Sequence, residues 1–185
     1  MQLSFYINQS RCTGCNTCVV ACKDWHDVSA GPVSWIRIEA IEKGKYPNPF
    51  LAYLPYSCYH CAKPACIPAC PSGAIYKRIQ DGIVVVNREL CLGKDNCQMC
   101  LGACPYDAPQ FGAEDNARMQ KCDLCLEKWQ EGKNPICVDS CPTRALDVSS
   151  MDELRAKYGE IKEAAGFTYN ENLSPSVIFK PKLPN

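Results

Sequence analysis

Apolar and polar positions alternate only in short stretches along this 185-residue chain. Phe5-Tyr6-Ile7-Asn8, Ser34-Trp35-Ile36-Arg37-Ile38-Glu39 and Phe50-Leu51-Ala52-Tyr53-Leu54 are rich in aromatic and β-branched residues and read as strands. The last two flank a Pro/Gly-rich loop at 44–49. Ile75-Tyr76, the turn Gln80-Asp81-Gly82 and the run Ile83-Val84-Val85-Val86 predict a β-hairpin, because Asp-Gly between β-prone runs favours a tight turn. Ser150-x-x-Glu153 is a capping box that opens a short helix through Tyr158, stopped at Gly159. From Thr168 the chain is polar, then ends in Val177-Ile178-Phe179-Lys180-Pro181, which fits an extended strap or a frayed terminus. The longest apolar runs, Gly82–Val86 and Cys18–Cys22, fall far short of the roughly 20 residues needed to cross a bilayer.

What changes this picture is sixteen cysteines in four groups of four. The groups are Cys12-Cys15-Cys18-Cys22, Cys58-Cys61-Cys66-Cys70, Cys91-Cys97-Cys100-Cys104 and Cys122-Cys125-Cys137-Cys141. The first has the C-x2-C-x2-C-x3-C spacing of bacterial cubane ferredoxins, in which three thiolates serve one cube and the fourth serves a second. The other three end in Cys-Pro, where proline fixes φ and removes a donor as the loop stops. A secreted disulfide scaffold would be shorter and would carry a signal peptide. The start Met-Gln-Leu-Ser-Phe-Tyr-Ile-Asn has no basic n-region, apolar h-region or twin arginine, so a soluble chain with no export signal of its own is expected. A zinc-stabilised interaction module is a further alternative, although Cys18, so close after Cys12 and Cys15, has no role around one tetrahedral ion.

Twenty basic and twenty acidic side chains balance, so nucleic acid is not an expected partner. Four clusters leave roughly 46 residues each, too few for a conventional core, so metal binding must supply much of the folding free energy. No phosphate loop, nucleophile–base pair or dinucleotide fingerprint appears, and a non-catalytic role is expected.

The order cysteine group, strand, turn, strand, cysteine group makes groups two and three one two-cluster unit. The outer groups repeat it cut open: Phe5–Asn8 runs into Cys12 as Val84–Asn87 runs into Cys91, and Cys141-Pro142-Thr143-Arg144-Ala145-Leu146 parallels Cys70-Pro71-Ser72-Gly73-Ala74-Ile75. The fold expected is α+β, with two bacterial-ferredoxin-like modules, one inserted within the other. Residues 1–50 with 111–160 form the outer module, 51–110 the inserted one and 161–185 a tail. If fourth cysteines cross, the sets are Cys12, Cys15, Cys18, Cys141; Cys22, Cys122, Cys125, Cys137; Cys58, Cys61, Cys66, Cys104; and Cys70, Cys91, Cys97, Cys100. Each would hold one [4Fe-4S] cluster.

Together these residues resemble the iron–sulfur subunits of the dimethyl sulfoxide reductase family. The resemblance rests on Arg11-Cys12-Thr13-Gly14-Cys15, Ala21-Cys22-Lys23-Asp24, Pro64-Ala65-Cys66, Cys70-Pro71-Ser72-Gly73-Ala74, Ala103-Cys104-Pro105-Tyr106, Lys121-Cys122-Asp123-Leu124-Cys125, Pro135-Ile136-Cys137 and Ser140-Cys141-Pro142-x-Arg144-Ala145-Leu146-Asp147. It implies an electron-transfer subunit in anaerobic respiration, linking a molybdopterin (molybdenum or tungsten) catalytic subunit to a quinone-linked membrane subunit or another carrier. It implies that the Cys12/Cys141 cube lies nearest the catalytic subunit, and that the site is cytoplasmic or exported with a signal-bearing partner. A free-standing polyferredoxin shuttle is the alternative. One departure stands out: Lys94-Asp95-Asn96 lengthen the third group to Cys91-x5-Cys97, where the family has x2, which singles out the fourth cluster as the one with altered geometry.

The remaining candidates read blandly. His60 is expected to be a solvent-facing loop residue, with a hydrogen bond that tunes a cluster as the sharper alternative. Lys23, Lys63 and Lys121 stand near ligands and would offset cluster charge, but most such lysines are solvated. Trp25, Trp35 and Trp129 read as packing that shields clusters from water.

Overall fold

The computed structural model describes residues 1–184; the last position of the expected tail, Asn185, lies outside them. The first strand, β1 (Leu3–Asn8), is buried along its whole length because it is the middle of three. On one side it pairs antiparallel with β6 (Leu146–Ser150), setting Phe5 opposite Val148 and Ile7 opposite Leu146. On the other it pairs parallel with β7 (Val177–Lys180), setting Phe5 beside Val177 and Ile7 beside Phe179. Period-two alternation then sends Leu3, Phe5 and Ile7 into the main core. Tyr6 faces the opposite way, where its ring stacks on Tyr158 at 3.6 Å beside Leu154 and Ile178.

Leu154 and Tyr158 belong to α5 (Met151–Tyr158), which covers that second face. Both halves of the Ser150/Glu153 capping box form, and Gly159 takes φ +80° just past the helix, where an L side chain would be strained. Asp147 of β6 accepts from Lys157 Nζ at 2.9 Å and Tyr158 Oη at 2.7 Å, tying helix to sheet.

A second antiparallel pair, β2 (Ile36–Lys43) and β3 (Phe50–Ser57), flanks the Pro/Gly loop in full register. Both strands run longer than the sequence pattern marks. The Asp-Gly hairpin forms as β4 (Ile75–Lys77) and β5 (Val84–Val86), with Gly82 at φ +71° in the turn. Mixed helix and strand content accords with an α+β chain.

The C-terminal segment is a strap. Besides β7, the N–H groups of Ala62 and Lys63 donate to the carbonyls of Ser174 (2.8 Å) and Leu173 (3.0 Å). Phe167 stacks on Tyr106 and packs against Tyr59 and Phe179, so the tail helps close the aromatic core. No helix among the described residues is long and apolar enough to cross a membrane.

Candidate metal centres

Each cysteine group ends with the same local device. Its third and fourth cysteines are four residues apart: Cys18 and Cys22, Cys66 and Cys70, Cys100 and Cys104, Cys137 and Cys141. Cys18 and Cys22 lie on α1 (Thr17–Trp25); Cys100 lies on α2 (Met99–Ala103) with Cys104 just beyond; Cys125 immediately precedes α3 (Leu126–Gln130); Cys137 lies on α4 (Ile136–Asp139) with Cys141 just beyond. On α1 one helical turn, about 5 Å along the axis, separates Cys18 from Cys22. Packing then brings Cys22 to another group, where α1 and α4 lie against each other.

Several thiols are influenced by cysteines of another group. Burial, then the neighbouring Cys12, Cys141 and Cys15, push the Cys18 thiol up to about 12. The same four thiols line one cavity. Cys22 is pushed up to about 12 by burial and then by Cys125, while burial and then Cys22 lift Cys122 well above the thiol range. Cys137 is lifted likewise, by burial, Cys125 and Cys22. Burial and then Cys58 and Cys104 raise Cys61 to about 12, and Cys58, Cys61, Cys66 and Cys104 share a second cavity. Cys100, at about 11, is raised by burial and then, against a local hydrogen bond, by Cys91, Cys70 and Cys97. Among the described residues no three His, Cys, Asp or Glu side chains close around a single-ion position. A cube instead needs its four sulfur ligands spread over its corners.

Donors aim at the sulfurs as well. Backbone N–H groups of Met119, Leu124, Ile136 and Ala145 donate to Sγ of Cys91, Cys122, Cys125 and Cys141 at 3.3–3.4 Å. At Cys15 the Thr17 hydroxyl and amide win, and the thiol lies below its ordinary value. Buried sulfurs with donors aimed at them suit thiolates bound to positively charged iron, and the residues present fit iron–sulfur clusters. Gly14 shows how tightly the first loop is built: its φ is +70°, and a Cβ there would stand 2.5 Å from the Tyr53 ring.

Comparison with known proteins gives these sites a context. A 4Fe-4S dicluster domain family matches residues 49–151, and a second family of the same description matches residues 11–74. One chain of the anaerobic dimethyl sulfoxide reductase of Escherichia coli (strain K12) is 45% identical over 188 residues, covering 97% of this chain and 89% of the relative. This chain belongs to the iron–sulfur subunits of the dimethyl sulfoxide reductase family. Its wider relatives include a sulfite dehydrogenase subunit of Allochromatium vinosum, 36% identical over 78% of this chain and 67% of the relative. Protein NrfC of Escherichia coli (strain K12) is 34% identical over 95% of this chain and 76% of the relative. Members of the family are electron-transfer chains of oxidoreductase complexes, and this chain is an electron-transfer subunit with [4Fe-4S] clusters, not a catalytic one.

The Lys94-Asp95-Asn96 segment is a pinned loop. Asp95 accepts from the Asn116 amide at 2.8 Å, and Asn116 Oδ1 accepts from the Asp95 amide and Asn96 Nδ2 at 3.3 Å. The Lys94 amide donates to the Ala117 carbonyl at 2.9 Å. Segment 112–119 thereby holds the lengthened loop on the side from which Met119 donates to Cys91.

Two bland readings need correction. His60 is not solvent-facing: it is 1% exposed, and its Nδ1 accepts from the Val84 amide at 2.9 Å. Lys121 is not solvated but 2% exposed, and its Nζ donates to the carbonyls of Val84 and Cys122. Both are buried because the strands of the two-stranded hairpin have an open edge, whose polar groups need partners once covered. Lys63 is exposed as expected, and Lys23 donates to the Gly31 carbonyl at 2.8 Å. Trp35 and Trp129 pack on the core, whereas Trp25 is 48% exposed beneath Lys128. The sequence pattern assigns His26 no role, yet its Nε2 stands 3.2 Å from Cys125 Sγ. No spacing rule reaches across a sequence separation of 99.

Proposed function

We propose that this chain holds four [4Fe-4S] clusters, one in each crossed thiol set. It conducts single electrons between a molybdopterin-type catalytic subunit and a quinone-linked membrane subunit or another carrier. The carrying observation is that thiols distant in sequence stand together: Cys141 lines one cavity with Cys12, Cys15 and Cys18 and raises Cys18, and Cys125 raises Cys22. Bound clusters supply one-electron redox chemistry. The chain's own part is to fix sixteen thiolates, aim N–H donors at them and keep water away with Tyr59, Tyr106 and the strap.

The module division belongs to this reading: 1–50 with 111–160 outside, 51–110 inserted, and the tail bracing both. Pairing of β1 with β6, and of β4 with β5, supports it. The Cys12/Cys141 cluster faces the catalytic subunit, and the complex works in the cytoplasm or is exported with a signal-bearing partner.

Co-expression with the neighbouring catalytic subunit tests the partnership. Exposed Arg11 adjoins Cys12, and half-buried Lys23 adjoins Cys22 one turn beyond Cys18. Arg11→Glu and Lys23→Glu should weaken pull-down and dye-linked electron delivery while iron content holds. A chain that purifies as a stable monomer and exchanges electrons freely with several acceptors would instead be a polyferredoxin shuttle.

A further inference from the structure

Lys121 is a buried cation with no anion beside it. Its side chain is 2% exposed, and both hydrogen-bond partners of its Nζ are neutral carbonyls, those of Val84 and Cys122. No carboxylate among the described residues forms an ion pair with it. The other buried lysine, Lys128, differs: Asp139 lies 3.4 Å from its Nζ. Burying an uncompensated ammonium costs several kcal/mol, so a fold that retains one needs negative charge near it.

The surroundings say where that charge belongs. Lys121 lines the cavity shared by Cys58, Cys61, Cys66 and Cys104. Through the Cys122 carbonyl it is also bonded to the backbone of a ligand in the neighbouring set. Cys122 and Cys58 are themselves close enough to influence each other, so these two sets adjoin at Lys121.

Resting on the four-cluster reading above, we infer that Lys121 is the built-in counter-charge of the junction between the Cys22/Cys122 and Cys58/Cys104 clusters. It is a positioning residue acting through charge: it favours the reduced, more negative state of both centres and fixes the hairpin carbonyl of Val84 at their boundary. In a water-poor interior such a charge is weakly screened, whereas an exposed lysine at the same distance is not.

The test is an EPR-monitored redox titration of the full chain loaded with iron and sulfide. It compares the parent, Lys121→Gln, Lys121→Met and the control Lys63→Met. Lys63 is exposed and lies between Cys61 and Cys66, so its replacement removes the same formal charge without removing a buried one. Lys121→Gln keeps a donor for the two carbonyls and guards against loss of the fold. The expected result is parental iron and sulfide in Lys121→Gln, with two cluster signals moved to lower potential in both Lys121 variants and none moved in Lys63→Met. Lys121→Gln with full iron content and every signal at its parental potential would overturn the inference. Iron content and signals of the parent test the cluster reading separately.

Discussion

The Val84 amide donates to Nδ1 of His60 at 2.9 Å, so the proton of the neutral ring sits on Nε2. Nε2 itself is buried and has no partner among the described residues. Burial, followed by the ammonium groups of Lys121 and Lys77, holds His60 well below the ordinary histidine value of 6.5. The unfolded chain would take up a proton near 6.5 that the folded chain refuses. Stability is therefore fully present above that value and falls as pH drops below it, by up to about 1.4 kcal/mol per pH unit. In melts of the cluster-loaded protein from about pH 7.5 to 5.5, the parent should lose more stability per pH unit than His60→Gln. Equal slopes in the two proteins would contradict a neutral, buried His60.

Asn116 makes a second expectation. Its amide and side chain close the 94–96 loop, so Asn116→Ala frees the segment between Cys91 and Cys97. Metal analysis should show loss of iron from the Cys70/Cys91/Cys97/Cys100 set alone, up to about four atoms per chain. A three-iron EPR signal would be the mildest form of that loss. Unchanged iron and spectra would mean that the loop stands without Asn116.

Much of this was legible because it is local. The Asp-Gly hairpin, the Ser150/Glu153 box and the four-residue step from third to fourth cysteine each depend on a few neighbouring residues. Burial of His60 and Lys121 was not legible, since it arises where β5 meets segments from elsewhere and neither residue follows a period. The strap was only half legible: Val177–Pro181 reads equally as an extended strap or a frayed terminus, and its parallel seat on β1, with Phe179 packed on Phe167, comes from tertiary packing. The grip of Asn116 on the insert has no motif at all.

Crossed ligation makes the third expectation. Cys22→Ser should perturb the centre held with Cys122, Cys125 and Cys137, whereas Cys141→Ser should perturb the one held with Cys12, Cys15 and Cys18. The two variants, titrated side by side by EPR, should alter different components. Loss of the same component in both would mean that the fourth cysteines do not cross.

Iron and acid-labile sulfide, counted per chain in the purified protein, bear most directly on four clusters. Four cubes require roughly 16 of each, with no retained zinc. A reproducible value near eight iron, or zinc at near-stoichiometric level in a colourless protein, would contradict a four-cluster chain.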